Sequence, residues 1–287
     1  MYAPFDYKSD LTNQKDSSKL FYLAINSTAC YLLAYLLMYT LNQLSTSLIA
    51  ASLFIKSVVY YHRIDFRVAA DFWTPPRVIY TFLSGPLACL VMGIVLQRIY
   101  RYAKKSPGNA KLFLLWAYLH AFNLFFGAYV AGVISHTGFR YVSNYMQVPE
   151  KAEFAIAFFC LIAMFVFGYF ATRQFLQISV SQSLIQKFSR RLFILCTVII
   201  PWMLGSAILI LAKAPKITLN EMIVFLMMFT IVVPVSIIQR NFQEVNLVKQ
   251  NKAVGIDWTV IGVTLTFLIL FRSVFEYGLS IGSWLKS

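Results

Sequence analysis

Between Leu20 and Tyr61 the chain carries a single charge, Lys56. A soluble helix or strand needs a polar face, so an apolar stretch of this length has no place in a water-soluble fold. That stretch supplies a first candidate span at about 20–50. Six more follow, at about 78–100, 112–135, 152–175, 191–212, 219–239 and 258–280. Each reaches the roughly 20 apolar residues that a bilayer-spanning helix requires. Composition agrees: 59% of residues are hydrophobic, 13% are charged and the mean hydropathy is +0.68. Soluble domains average about 45–50% apolar and about 25% charged. A chain of 287 residues cannot hide such an excess from water. A soluble enzyme, a nucleic-acid module and a disordered chain are therefore excluded. The expected fold is an all-α polytopic membrane protein of about seven transmembrane helices. Residues 20–287 form one transmembrane domain behind a polar tail, 1–19. The lipid bilayer is its first partner.

The first segment is too long for one simple span, and Asn42-Gln43 interrupts it. It reads either as a helical hairpin or as one long helix followed by another element. Residues 54–68 favour the second. They are rich in β-branched and aromatic residues, and Ile64, Phe66 and Val68 alternate with Arg63, Asp65 and Arg67. A short β-hairpin is expected there. It must sit at the interface or under helices, because open strand edges do not face lipid. Thr74-Pro75-Pro76 then breaks the chain and opens the next helix.

The net charge of +14 has its explanation in topology, since basic residues gather in cytoplasmic loops. With seven spans, one side holds fifteen Lys and Arg, in the N-tail and in the loops carrying Arg98 to Lys111, Arg173 to Arg191 and Arg240 to Lys252. The other side holds nine, among them Lys56, Arg63, Arg67, Arg77, Arg140, Lys213 and Lys216. Eight spans would make the split even. Seven spans with a cytoplasmic N-terminus fit the rule better. The tail lacks the basic, apolar and small-residue regions of a cleavable signal, so the first helix is expected to stay and direct insertion. Cys30, Cys89, Cys160 and Cys196 lie in apolar stretches without CxxC spacing and read as small core hydrophobes. No disulfide framework and no cleaved signal fit a bacterial inner (cytoplasmic) membrane. The sequon at Asn26 opens an apolar run and is discounted as a glycosylation site.

Ionisable or strongly polar residues at membrane depth are the candidate functional groups. His120 and Asn123 are three apart and share a helix face beside Trp116 and Tyr118. Gly127, Ala128, Ala131 and Gly132 form a small-residue stripe one turn on, which permits close helix contact. A neutral His–Asn pair fixing helix packing is weighed against a proton relay or a ligand or metal contact. Arg272 and Glu276 are four apart and are expected to pair on one face. Asn42 and Gln43 can bond across helices. His62, His120 and His136 share no ligand spacing. His120 and His136 would lie about 24 Å apart along a straight helix, so a joint metal site is not expected. No cofactor motif is present.

Leu83-Ser-Gly-Pro-Leu-Ala-Cys-Leu-Val-Met-Gly93 resembles the Gly-Pro-Leu-Ala-Asn helix of the site-2-type intramembrane zinc metalloproteases. Asn123-Leu124 and the residues to Gly132 resemble that family's Asn-Leu-x-Pro-x-x-x-Leu-Asp-Gly helix. The order is similar too: long helix, strand-like stretch, Gly85-Pro86 helix. The likeness covers about residues 20–135, under half of the chain. It implies a family-like helical scaffold with a membrane-associated β-region. The chemistry of the family is missing. No His-Glu-x-x-His occurs, Leu41 to Ser45 stand near where it would fall, and Ala131 stands at the position of the aspartate ligand. Zinc hydrolysis needs three ligands, an open position for water and a general base. The resemblance therefore implies a scaffold without zinc.

Three functions fit these residues. The first is a non-catalytic membrane protein that binds a lipid or another membrane protein and needs no cofactor. The second is a transporter or channel for a small solute or ion, using His120, Asn123, Arg272 and Glu276 along an internal path. No inverted repeat or pair of broken helices favours it. The third is an enzyme acting on a lipid, with Arg98-x-x-Arg101 and Arg190-Arg191 at headgroup level. No acid/base constellation supports the third. Nucleic acid is not an expected partner, and the sequence sets no oligomeric state.

Overall fold

The computed structural model describes residues 7–103, 108–178, 190–239 and 255–282. Among these residues, seven helices are long and apolar enough to cross a membrane. Helix α1 (Tyr7–Ser52) supplies the first, over Ser17–Ser52. Then come α2 (Pro75–Tyr102) and α3 (Gly108–Ser135), the latter with a π-helical turn at Asn123–Gly127. A six-residue helix, α4 (Arg140–Tyr145), precedes α5 (Glu150–Gln177). Helices α6 (Arg190–Lys213, with a π-turn at Leu195–Ile199), α7 (Leu219–Ile238) and α8 (Trp258–Tyr277) complete the set. The protein is an all-α polytopic membrane protein. The long first segment is one helix, not a hairpin. Asn42 and Gln43 sit within it without breaking it because their amides find partners: Asn42 donates to Cys89 Sγ at 3.7 Å and Gln43 to the Tyr39 hydroxyl at 2.6 Å.

Local chemistry sets the helix ends. Pro75 and Pro76 occupy the first turn of α2, where a missing N–H costs nothing. Thr218 and Glu221 form a reciprocal capping box on α7. The Asp257 carboxylate accepts from the Val260 N–H at the start of α8. Helix α3 stops at His136, which turns into the left-handed region at φ 58°.

Strands β1 (Lys56–Val59) and β2 (Ile64–Arg67) form the expected antiparallel hairpin, with Lys56 opposite Arg67 and Val59 opposite Ile64. A third strand, β3 (Leu279–Ile281), pairs antiparallel with β1 on its other edge, giving the order β2-β1-β3. An odd number of spans explains it. The end of α1 and the end of α8 emerge on the same face, so residues 279–281 meet residues 56–59. The sheet lies at the helix ends, outside the spans, where strand edges are tolerated. Ala51, Val59 and Ile281 bury against Leu44, Ile64 and Phe275 beneath it.

Helix α1 is central and packs against α2, α3, α6 and α8, while α7 packs against α5 and the second half of α3. The outward surfaces are apolar: Phe158, Phe159 and Phe170 on α5, Leu211 on α6 and Ile269 on α8 are all exposed. The surface that would repel water in a soluble protein is the lipid-facing one here. The buried face of α5 is a narrow stripe at helical spacing: Ala157, Cys160, Met164, Gly168, Ala171 and Phe175. All four cysteines are free, and three are buried. Asn26 is buried as well. Its amide donates to the Gly255 carbonyl and accepts from the Asp257 N–H, both at 2.9 Å, and so closes a connection between helices.

Candidate functional site

A cavity of about 660 Å³ lies beneath the hairpin, on the face where β1, β2 and β3 sit. One wall comes from α1, whose Tyr35, Tyr39, Asn42, Gln43 and Thr46 follow each other at helical spacing and present one polar stripe. Much of the remaining lining is apolar, from Phe66 of β2, Phe82 and Pro86 of α2, Leu124 and Ala128 of α3, and Phe139, with Ser135, Thr137 and Tyr141 adding hydroxyls. Thr218, Asn220, Glu221 and Val224, at the start of α7, line it too, and the β1–β2 turn adds His62 and Arg63. Gly85 permits this shape. A Cβ there would overlap Thr46 Oγ1 and stand 2.7 Å from the Asn42 carbonyl oxygen, so only glycine lets α2 close on α1.

A chain of polar groups runs along the α1 wall. Gln43 Nε2 donates to the Tyr39 hydroxyl at 2.6 Å, and that hydroxyl donates to Glu221 Oε1 at 2.6 Å. Lys213 Nζ donates to the same oxygen at 2.5 Å and to the Tyr35 hydroxyl at 3.2 Å, and lies 3.3 Å from the Tyr39 ring centroid. Lys213 is buried, with a side chain 1% exposed against 12% for Glu221. An ion pair this enclosed survives only because both ends are bonded and an aromatic face takes the ammonium. It ties α6, α7 and α1 together at one point.

A second depression, of about 580 Å³, opens beside the cavity and shares His62, Arg63 and Thr218 with it, adding Tyr60, Asp65 and Lys216. His62 is buried and its Nδ1 has no hydrogen-bond partner. Burial, then the charges of Arg63 and Lys216, hold its imidazole below the usual value, with Glu221 and Asp65 acting in the opposite sense. Arg63 grips Asp65 through Nε at 2.7 Å and Nη2 at 3.2 Å, leaving Nη1 uncommitted.

The residues singled out from the sequence fall in three places. Asn42, Gln43 and Pro86 line the cavity, and Gly85 shapes it. His120 is fully enclosed by aromatic rings, with centroids 4.4 Å from Tyr31, 5.5 Å from Tyr35 and 6.2 Å from Trp116, and neither ring nitrogen makes a hydrogen bond. Asn123 donates to the Val224 carbonyl of α7 at 2.9 Å, so the two are not bonded to each other. The π-turn that begins at Asn123 rotates its amide toward α7, and the carboxamide oxygen lies over Gly127. Gly132, from the same stripe, packs on the Thr137 carbonyl and the Arg140 N–H after its own helix.

Arg272 and Glu276 pair on α8 at 3.1 Å, each side chain 38% exposed. The Arg272 guanidinium also sits 3.8 Å from the centroid of the Tyr61 ring, and the Tyr61 N–H donates to the Phe275 carbonyl. This pair fastens α8 to the hairpin. None of His120, Asn123, Arg272 and Glu276 lines the cavity. Arg272→Ala is expected to lower stability by about 1 kcal/mol, and Glu276→Gln by less, read as a fall in Tm, because a half-exposed pair and one cation–π contact are each worth little.

Sequence reasoning did not single out Tyr35, Tyr39, Lys213 and Glu221 as a site. Two signals were present. Tyr35, Tyr39 and Gln43 recur every four residues, and Thr218-x-x-Glu221 is a readable capping box. Among the described residues, no three His, Cys, Asp or Glu side chains gather as metal ligands would. Fold and site together define a polytopic membrane protein, with seven membrane-length helices among the described residues and a mixed polar and apolar cavity at the span ends. The chain matches no protein-family profile, no curated protein and no solved structure.

Proposed function

We propose that the protein is a non-catalytic integral membrane protein whose cavity beneath the hairpin holds a lipid or a segment of a membrane-protein partner. The cavity carries this reading. Its volume of about 660 Å³ is that of a small-molecule site, and its lining combines a polar stripe from α1 with the apolar side chains of Phe66, Phe82, Leu124 and Phe139. An amphipathic molecule matches such a lining. Its strongest polar groups, Gln43, Tyr39 and Glu221, are bonded to one another, and Glu221 is held from behind by Lys213, an arrangement that holds shape more than it attacks a substrate. A scaffold like that of the site-2-type proteases, without zinc, is consistent with Gly85-Pro86 lying on Asn42 and Thr46, the stretch where the family's zinc motif would fall. With the N-terminus in the cytoplasm of a bacterial cell, as the distribution of basic residues favours, the cavity opens on the outer side of the inner membrane.

Native mass spectrometry of the full chain, extracted in a mild detergent, tests this. A retained small molecule is expected. Ala128→Trp, which fills the cavity from α3, is expected to release it while circular dichroism stays unchanged. Retention of the same molecule by Ala128→Trp, or stoichiometric zinc in protein prepared without chelator, overturns the proposal.

A further inference from the structure

We infer that the mouth of the cavity is an anion site, built by His62, Lys216 and Arg63 for the phosphodiester of an amphipathic ligand whose apolar part lies along Phe66 and Phe82. The inference rests on the cavity being a binding site and adds the chemistry of its ligand.

Three observations converge. His62 is only 8% exposed, yet its Nδ1 is unpartnered and the residue lines both the cavity and the adjoining depression. A buried polar nitrogen without a partner is costly, and a ligand oxygen at this point removes the cost. Arg63 binds Asp65 side-on and keeps Nη1 free, so the one acidic group at the mouth is neutralised and a donor remains. Lys216 is exposed and shares the depression with both. Lys213 is cancelled by Glu221 in the same way. The charges around the cavity and its mouth are then Arg63, Lys213 and Lys216 against Asp65 and Glu221, which leaves one positive charge with His62 neutral. That balance suits a singly charged anion. The rings of Phe66 and Phe82, 5.6 Å apart, offer an apolar surface within the same cavity. A membrane lipid headgroup and a small free phosphodiester share this chemistry.

The site also couples binding to protons. His62 is faced by Arg63 and Asp65 from the hairpin, Lys216 from the connection before α7 and Glu221 from α7 itself. Arg63 and Lys216 disfavour its protonation, and an incoming anion reverses their effect. The bound state therefore takes up a proton more readily than the free state, and affinity rises as pH falls.

The test uses the full chain in an uncharged detergent, with binding read from the shift in unfolding temperature. The probes are short-chain phosphatidylglycerol, the matching diacylglycerol and dimethyl phosphate. A phosphodiester does not titrate near neutrality, so any pH dependence belongs to the protein. Phosphatidylglycerol is expected to bind at least tenfold more tightly than diacylglycerol, and more tightly at about pH 5.5 than at about pH 7.5. Lys216→Ala and His62→Ala are each expected to weaken it about three- to tenfold. His62→Gln keeps a donor at the site and is expected to retain binding while losing the pH dependence. Dimethyl phosphate binding as tightly as the lipid, with the same variant effects, supports the anion site and identifies a free phosphodiester as its ligand. Weaker binding of dimethyl phosphate supports it and identifies the lipid. Equal binding of phosphatidylglycerol and diacylglycerol, or no effect of either alanine variant, overturns the inference. If Ala128→Trp still releases a retained molecule in that event, the cavity reading stands and only the anion site falls.

Discussion

Lys213→Met is expected to destabilise the protein by about 3–5 kcal/mol, the range seen when one partner of a buried ion pair is removed. The cost is not the lost attraction alone. Without the ammonium, Glu221 keeps the Tyr39 hydroxyl at 2.6 Å and a place in the first turn of α7, where the helix dipole favours a carboxylate. These partners soften the loss and place it at the lower end of the range. Glu221→Gln strands the ammonium instead. Lys213 then keeps the Tyr35 hydroxyl, the Tyr39 ring and at most a neutral amide oxygen, with no counter-charge in a site where it is 1% exposed. An amide at position 221 has one acceptor oxygen where the carboxylate uses two, so it can cap α7 or meet Lys213 but not both. Lys213→Met combined with Glu221→Gln removes both charges and is expected to be milder than the sum of the single changes, by about 1–3 kcal/mol. Reversible unfolding of the four proteins in mixed micelles measures this. Additive losses would show that the pair contributes nothing beyond its separate parts.

The spans were legible because each is a local property: about twenty apolar residues between charged loops, with Thr74-Pro75-Pro76 marking the start of the second. The hairpin was legible from the alternation around Ile64, Phe66 and Val68. Strand β3 was not, because three residues carry no period and their pairing depends on where the last span ends. The site divides in the same way. Asn42 and Gln43 stand out as interruptions in an apolar helix and Pro86 as part of the Gly-Pro-Leu-Ala stretch, and all three line the cavity. Lys213 and Glu221 sit at span ends, where charges are ordinary, so only the turn at residues 214–218 reveals that they face each other. His62 and Lys216 come from distant parts of the chain and meet only in the folded protein. His120 drew notice as an ionisable residue at membrane depth, but no sequence pattern places the rings of Tyr31 and Tyr35 around it. Asn123 pointed to its neighbour by spacing. The π-turn, which shifts register by one residue, sends its amide to Val224 instead.

Gly168→Leu is expected to be among the most damaging single changes in the chain, while Gly262→Leu is expected to be silent. A Cβ at Gly168 would overlap the Ile231 carbonyl oxygen and stand 2.5 Å from Pro234 Cγ. Neither neighbour can yield easily, one being backbone and the other a ring fixed to it. Helices α5 and α7 would have to separate at this contact. In water, exposed apolar surface would oppose the separation. In a bilayer lipid tails replace the lost contacts almost as well, so helix association rests on close packing itself. The inward face of α5 is a single narrow stripe through Met164, Gly168 and Ala171, with Phe159 and Phe170 turned to lipid. A wedge in that stripe leaves the helix little else to hold it. Overpacking of about 1–3 kcal/mol is the ordinary cost of extra methylenes in a filled core, and the rigid neighbours place Gly168→Leu at or above its upper end. Gly262 has no atom within 4 Å of the same Cβ position, so the identical side chain added there meets only lipid. Comparing Tm and the yield of monodisperse protein for the two variants separates packing from bulk hydrophobicity. Equal behaviour would show that the α5–α7 contact is dispensable.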